Sequence, residues 1–240
     1  MATAESSAIE LVLLPGLDGS ALLFERLRYR LGNLPHRTVT YPATATDYTE
    51  LIRYVDERLP AKSNLVLLGE SFGGPIAIAL AARRRAQVRG LILCASFARA
   101  PRSGMRWLTH MASWPLRPPS WLGGGALMGR YWTVSLQREV TQALSALPTA
   151  TLWGRLGQAT RCNMLAELSA ITAPLVYLRA SEDLLVPPNA IRSIRAAQPT
   201  VEEIRVAGPH LLLQSNPVAC ADIIHRFIAQ IESQTRQAPC

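Results

Sequence analysis

Short runs of leucine, valine and isoleucine punctuate the chain at about Ile9–Leu14, Arg37–Tyr41, Asn64–Gly69, Val88–Cys94, Leu175–Ala180 and Val201–Val206. Apolar character that is continuous rather than alternating predicts strands covered on both faces, as the strands of a parallel sheet are. Helical patterns fill most of the intervals: Leu22–Leu31 stopped by Gly32, Tyr48–Leu59 stopped by Pro60, and Phe72–Arg85. Alternation of this kind predicts an α/β fold with a mostly parallel central sheet of about six strands and helices on both faces.

One interval is too long for a simple crossover. From residue 97 to 171 no convincing strand occurs, and helices are expected near Gly104–Ser113, Leu122–Tyr131, Val134–Ala146 and Thr151–Ser169, separated by Pro115, Pro118-Pro119 and Pro148. The chain is therefore read as a single domain over 1–240 carrying a helical cap insertion at about 97–171. Trp107, Trp114, Trp121, Trp132 and Trp153 all fall inside it, as do Met105, Met111, Met128 and Met164. Two uses of that apolar bulk are open: packing the insertion onto the sheet, or lining a pocket for an acyl or aromatic group.

The chemistry begins at the end of the third apolar run, where Gly69-Glu70-Ser71-Phe72-Gly73 passes straight into a helical segment. A chance match to Gly-x-Ser-x-Gly in a chain of ordinary composition has odds of roughly one in twelve, so the weight rests on context. The motif is useful where a strand turns sharply into a helix, holding the serine in a strained, exposed conformation above the sheet. Gly69 and Gly73 then leave room for the turn, and Pro75 falls in the first helical turn, where its missing N–H costs nothing.

A nucleophilic serine needs a base, and the base needs an orienting group. Of His36, His110, His210 and His225, only His210 stands in a loop just after a predicted central strand. Asp183 stands just past the strand at Leu175–Ala180. Taken singly, Asp183 reads as a turn or helix N-cap residue and His210 as a loop histidine. Together with Ser71 they occupy loops that an open parallel sheet gathers at one edge, where ligands bind.

With these residues the chain resembles the α/β-hydrolase superfamily over about residues 9–232. The resemblance implies a nucleophile at Ser71, an acid at Asp183 and a base at His210. It also implies an oxyanion hole from the backbone N–H groups of Leu17 and Phe72, because Pro15-Gly16-Leu17-Asp18-Gly19 stands where the family has its oxyanion loop, with proline in place of the usual histidine. An alternative family position for the acid, after the strand that follows the nucleophile helix, reads Cys94-Ala95-Ser96-Phe97 and has no carboxylate. The implied activity is hydrolysis of a carboxylic ester or thioester through an acyl-enzyme, by a capped serine esterase with no cofactor and no metal. A lyase or acyltransferase on the same fold, or a non-catalytic ligand-binding member, are the alternatives.

Charge adds one question. The chain carries a formal +8, with 24 arginines and a single lysine, Lys62. A GC-rich coding genome produces the same arginine bias. The arginines are spread along the chain without a recognition motif, so nucleic acid is not an expected partner. The cluster Arg83-Arg84-Arg85 reads as a solvated helix end. Within the insertion Arg99, Arg102, Arg106, Arg117, Arg130, Arg138, Arg155 and Arg161 face only Glu139 and Glu167. A basic rim of that kind suits an anionic substrate or an acidic acyl-carrier protein, and equally an ordinary arginine-rich surface. Cys94, Cys162, Cys220 and Cys240 have neither metal-type nor redox spacing. No secretory signal and no bilayer-length apolar run are evident, so the expected setting is cytoplasmic, with no membrane association.

Overall fold

The computed structural model describes residues 8–61, 64–101, 125 and 127–237. Six strands appear among them: β1 Glu10–Leu14, β2 His36–Thr38, β3 Leu65–Glu70, β4 Val88–Cys94, β5 Leu175–Ala180 and β6 Glu202–Val206. They form one sheet in the order β2-β1-β3-β4-β5-β6, parallel throughout. The order reverses between β1 and β3, so the loops leaving those strands diverge and open a crevice at the carboxyl edge.

The four inner strands are buried almost end to end, as their unbroken apolar sequences predict. The two edge strands are not: β2 and β6 carry half-buried and exposed positions, a correction to the uniformly buried reading. β2 is also shorter and earlier than Arg37–Tyr41. Val39 still donates its N–H to the Leu13 carbonyl at 3.1 Å, but the Tyr41 N–H turns to the Gly19 carbonyl at 2.8 Å. The segment leaves the ladder to lie against the loop after β1.

The sheet's faces are covered by alternate residues of the same strands. On one face Val12 and Leu14 of β1 join a core with α2 (Tyr48–Asp56), α3 (Gly73–Arg83) and the later helix Ala190–Ala197. On the other, Leu11 and Leu13 meet α1 (Glu25–Leu31) and the last helix, Pro217–Gln237. α2 starts where Asp47 accepts from the Thr49 and Glu50 N–H groups, an N-cap that satisfies two orphan donors. α3 is apolar on every side and buried along nearly its whole length, as a helix pinned over the centre of a sheet must be. Its end is not simply solvated: Arg84 is half-buried and bonds to the Asp56 side chain and the Pro60 carbonyl, fastening α3 to the end of α2.

Between β4 and β5 the described residues hold α4 (Val134–Ser145), α5 (Thr149–Ala159) and α6 (Leu165–Ser169). The helix expected at 104–113 lies outside the described residues, and of the one expected at 122–131 the described part, 125 and 127–131, is helical and closes in a 3-10 turn at Gly129–Tyr131. The single helix expected over Thr151–Ser169 is two. Ala100 donates its N–H to the Cys162 carbonyl at 2.9 Å and Met164 donates to the Ala98 carbonyl at 2.7 Å. That bridge to the segment after β4 takes residues 162–164 out of helix. After β5 come α7 (Ala190–Ala197), α8 (Leu212–Ser215) and α9 (Pro217–Gln237).

Candidate active site

The turn from β3 to α3 holds Ser71 at φ 48°, a left-handed conformation that costs a non-glycine residue about 1–3 kcal/mol. The neighbours on both sides make the turn possible. A Cβ on Gly69 would sit 2.6 Å from the Gly74 Cα, and one on Gly73 would strike the carbonyls of Leu14 and Pro15. The strain is held from β4 and β5: Ser71 donates its N–H to the Cys94 carbonyl at 2.9 Å, and the Ser96 hydroxyl donates to the Ser71 carbonyl at 2.6 Å. Tyr177 in turn donates its hydroxyl to the Ser96 carbonyl at 2.8 Å. Ser96, at the position where the sequence offers no carboxylate, thus braces the turn.

Ser71, Asp183 and His210 come together. Ser71 Oγ is 2.8 Å from His210 Nε2, and His210 Nδ1 is 3.0 and 2.9 Å from the two Asp183 oxygens. A carboxylate only accepts, so the Nδ1 proton points to Asp183 and Nε2 is left to accept from the serine hydroxyl. Asp183 Oδ1 also accepts the N–H groups of Leu185 and Val186, both at 2.8 Å. One side chain therefore makes both the turn contacts and the contact to His210. Asp183 and His210 side chains are each only 5% exposed, which shields their interaction from solvent. His36 and His225 instead bond the carbonyls of Leu34 and Leu31, remote from this cluster in the fold. His110 lies outside the described residues.

Above Ser71 lies a cavity of about 420 Å³ into which Gly16, Leu17, Ser71, Phe72 and His210 open. The loop after β1 that carries Leu17 is a tight turn, with the Gly19 N–H on the Gly16 carbonyl at 3.1 Å, and Tyr41 donates its hydroxyl to the Pro15 carbonyl at 3.1 Å. The bond from Tyr41 braces the loop where the family's usual histidine is missing. Among the described residues the N–H groups of Leu17 and Phe72 have no acceptor. Both residues line the same cavity as Ser71.

The insertion supplies the cavity's far wall through aliphatic residues, among them Leu127, Val140, Leu144 and Leu156. The described tryptophans and methionines do not line it. Met128 and Trp153 are buried in packing, and Trp132 is 52% exposed on the surface. Trp107, Trp114, Trp121, Met105 and Met111 lie outside the described residues. Arg155, counted with the basic rim in the sequence, is not on any rim: it is fully buried.

Two buried carboxyls also reach the cavity, and the sequence reading passed over both. Burial raises the Asp18 carboxyl above its ordinary range, a rise opposed by bonds from the Ser20 hydroxyl and N–H. Glu70 is pushed up to about 7, first by burial and further by Asp18, against the opposing Gln214 bond and His210. Gln214 Nε2 donates to Glu70 Oε1 at 2.9 Å, while the buried Oε1 of Gln214 has no donor. A native carboxyl that keeps its proton to about pH 7, against 4.5 for an ordinary one, contributes its full stability below pH 4.5 and loses it as pH rises to 7. Glu70→Gln removes this ionisation and gives Gln214 the donor it lacks. In urea unfolding, the variant is expected to gain on the order of 3 kcal/mol relative to the native chain between pH 4.5 and pH 8. A difference independent of pH would mean that Glu70 ionises alike in the folded and unfolded chains.

Residues 9–223 match the Alpha/beta hydrolase family. No curated protein sequence matches the chain. Among solved structures, a lipase-esterase related protein from Clostridium acetobutylicum superposes with a TM-score of 0.79 at 18% identity, covering 92% of this chain and 95% of that one. An esterase from Exiguobacterium antarcticum gives 0.80 at 16% identity, with 93% and 92% covered. The enol-lactonase from Burkholderia xenovorans gives 0.79 at 15%, with 94% and 93% covered. At such identities the likeness is one of fold, and function rests on the site itself.

Proposed function

The chain belongs to the alpha/beta hydrolase family, and from that premise we propose that it is a serine hydrolase cleaving a carboxylic ester or thioester through an acyl-enzyme. The observation that carries the reading is the unbroken hydrogen-bonded chain from Asp183 through His210 to Ser71, ending beneath an apolar cavity. His210 Nε2 takes the Ser71 proton as Oγ attacks the substrate carbonyl carbon. The Nδ1–H bond to Asp183 holds the tautomer and stabilises the imidazolium, with the proton staying on nitrogen. The Leu17 and Phe72 N–H groups stabilise the tetrahedral oxyanion, each worth on the order of 10²–10³ in rate. His210 returns the proton to the leaving oxygen or sulfur as that bond breaks. Water then attacks the acyl carbon with His210 as its base, and Ser71 is released.

The apolar walls suit an uncharged acyl group. Exposed Arg99, Arg138 and Arg161 support delivery of that group on an anionic carrier, an acidic acyl-carrier protein included. Cys94, Cys162 and Cys220 are free thiols, in keeping with a reducing, cytoplasmic setting. No helix among the described residues is long and apolar enough to cross a membrane.

A fluorophosphonate probe followed by peptide mapping tests the nucleophile: labelling is expected at Ser71 and is expected to vanish in His210→Ala. Labelling elsewhere, or at Ser71 with undiminished rate in His210→Ala, would overturn the relay. A parallel series of p-nitrophenyl and coenzyme A esters then reads the bond type, and added alcohol or thiol reads the acceptor. Products made by alcoholysis in preference to hydrolysis would turn the assignment to an acyltransferase.

A further inference from the structure

Behind the turn that carries Leu17 sits a guanidinium with no exposed surface. Arg155, on α5, donates from Nη1 to the Leu17 carbonyl at 2.9 Å, from Nη2 to the Pro42 carbonyl at 2.8 Å and from Nε to the Ala45 carbonyl at 3.0 Å. Among the described residues no carboxylate lies within ion-pairing distance of it. A buried cation that spends its donors on three backbone carbonyls is a costly way to fill space, since an apolar side chain of similar volume would fill it without desolvating a charge. Its planar fork does what an apolar chain cannot: it fixes several peptide groups relative to one another. One turn along, Gln158 donates to Asp47 Oδ2 at 3.0 Å, so a second side chain of α5 is tied to the loop region after β2. Leu156 and Ala159 of the same helix line the cavity over Ser71.

We propose that Arg155 is a positioning residue of the oxyanion site, clamping Leu17 by its carbonyl so that the Leu17 N–H faces the developing oxyanion, and making that donor move with the helix that walls the acyl cavity. This rests on the hydrolase reading. Its consequence is that an acyl chain long enough to press on Leu156 and Ala159 seats α5 and the turn together. Remote binding energy then appears in kcat rather than KM, because it sets a group used chiefly in the transition state.

The test compares the native chain with Arg155→Lys and Arg155→Met in three measurements: kcat and KM for p-nitrophenyl esters from acetate to decanoate, inhibition by an alkyl trifluoromethyl ketone whose adduct places an oxyanion on the Leu17 and Phe72 donors, and hydrogen exchange of the peptide covering residues 15–20. Arg155→Lys keeps the charge but loses the fork. It is expected to exchange faster in that peptide and to lose about tenfold to a hundredfold in kcat on the longer esters, with KM within about threefold. Ketone affinity is expected to fall in proportion, and the rise of kcat with chain length to flatten. Arg155→Met is expected to fall further on each measure; if it does not fold, the lysine variant alone decides. Unchanged exchange at residues 15–20, or unchanged kcat and ketone affinity despite faster exchange, would overturn the proposal. If the native chain hydrolyses no ester, the hydrolase reading fails, and the exchange measurement separately supports or overturns the clamp.

Discussion

Ser71→Ala is expected to lower kcat for a p-nitrophenyl ester by on the order of 10⁵–10⁶, with KM changed by no more than a few-fold. The cavity walls and the two proposed oxyanion donors remain, so substrate is expected still to bind and a residual rate above the uncatalysed one to survive. The loss is that large because, among the described residues, Ser71 is the one hydroxyl placed on His210 Nε2. A companion substitution separates chemistry from folding. Ser71→Gly removes the same hydroxyl and relieves the left-handed strain at φ 48°, so it is expected to stabilise the chain by about 1 kcal/mol while remaining equally inactive. Steady-state kinetics and urea unfolding of the two variants check the pair. Turnover in Ser71→Ala above about a hundredth of the native rate would remove Ser71 as nucleophile.

Much of this fold is legible because its inner strands are simple. A strand covered on both faces has to be apolar at every position, so Leu65–Leu68 and Leu91–Cys94 stand out without any alignment. The edges are harder for the same physical reason: His36–Thr38 and Glu202–Val206 have one side partly in water, and their sequences are correspondingly mixed. Where β2 stops is set by a long-range bond, Tyr41 N–H to the Gly19 carbonyl, that no local pattern encodes. The break in the helix predicted over Thr151–Ser169 has a similar origin. Its propensity is adequate, but the carbonyls of Ala98 and Cys162 and their partners are better satisfied by pairing across the insertion.

The site divides the same way. Ser71, Asp183 and His210, which the fold brings together, stand out as candidates because each has a chemically distinctive side chain soon after a strand. The residues that hold them cannot be found by type. Glu70 and Gln214 meet across the sheet's edge although 144 positions apart, and nothing in either neighbourhood announces the partner. Arg155 left a trace that counting charges obscures. It lies between Leu152 and Leu156 on the helix stripe that also holds Ala159, an apolar face where a charged residue calls for buried acceptors. Read by position rather than by charge, it would have been separated from the exposed arginines of the insertion.

Asp183→Asn is the second large effect, expected to lower kcat by about 10⁴ while leaving the fold intact. The asparagine Oδ1 can still accept from the Leu185 and Val186 N–H groups, so the turn survives. With that oxygen committed, the amide NH₂ faces His210 Nδ1. Two donors cannot share one bond, so the imidazole proton is driven to Nε2, where it points at Ser71 Oγ instead of accepting from it. The base is thereby switched off by tautomer rather than by displacement. Asp183→Ala tests the distinction: it also removes the turn acceptors, so it is expected to lose about 1–2 kcal/mol in unfolding where the asparagine variant loses little. Fluorophosphonate labelling of Ser71 is expected to slow in parallel with kcat in Asp183→Asn, because both reactions need the proton taken from Oγ. A loss below about tenfold would remove Asp183 from the mechanism and leave it the turn residue that its bonds to Leu185 and Val186 already make it.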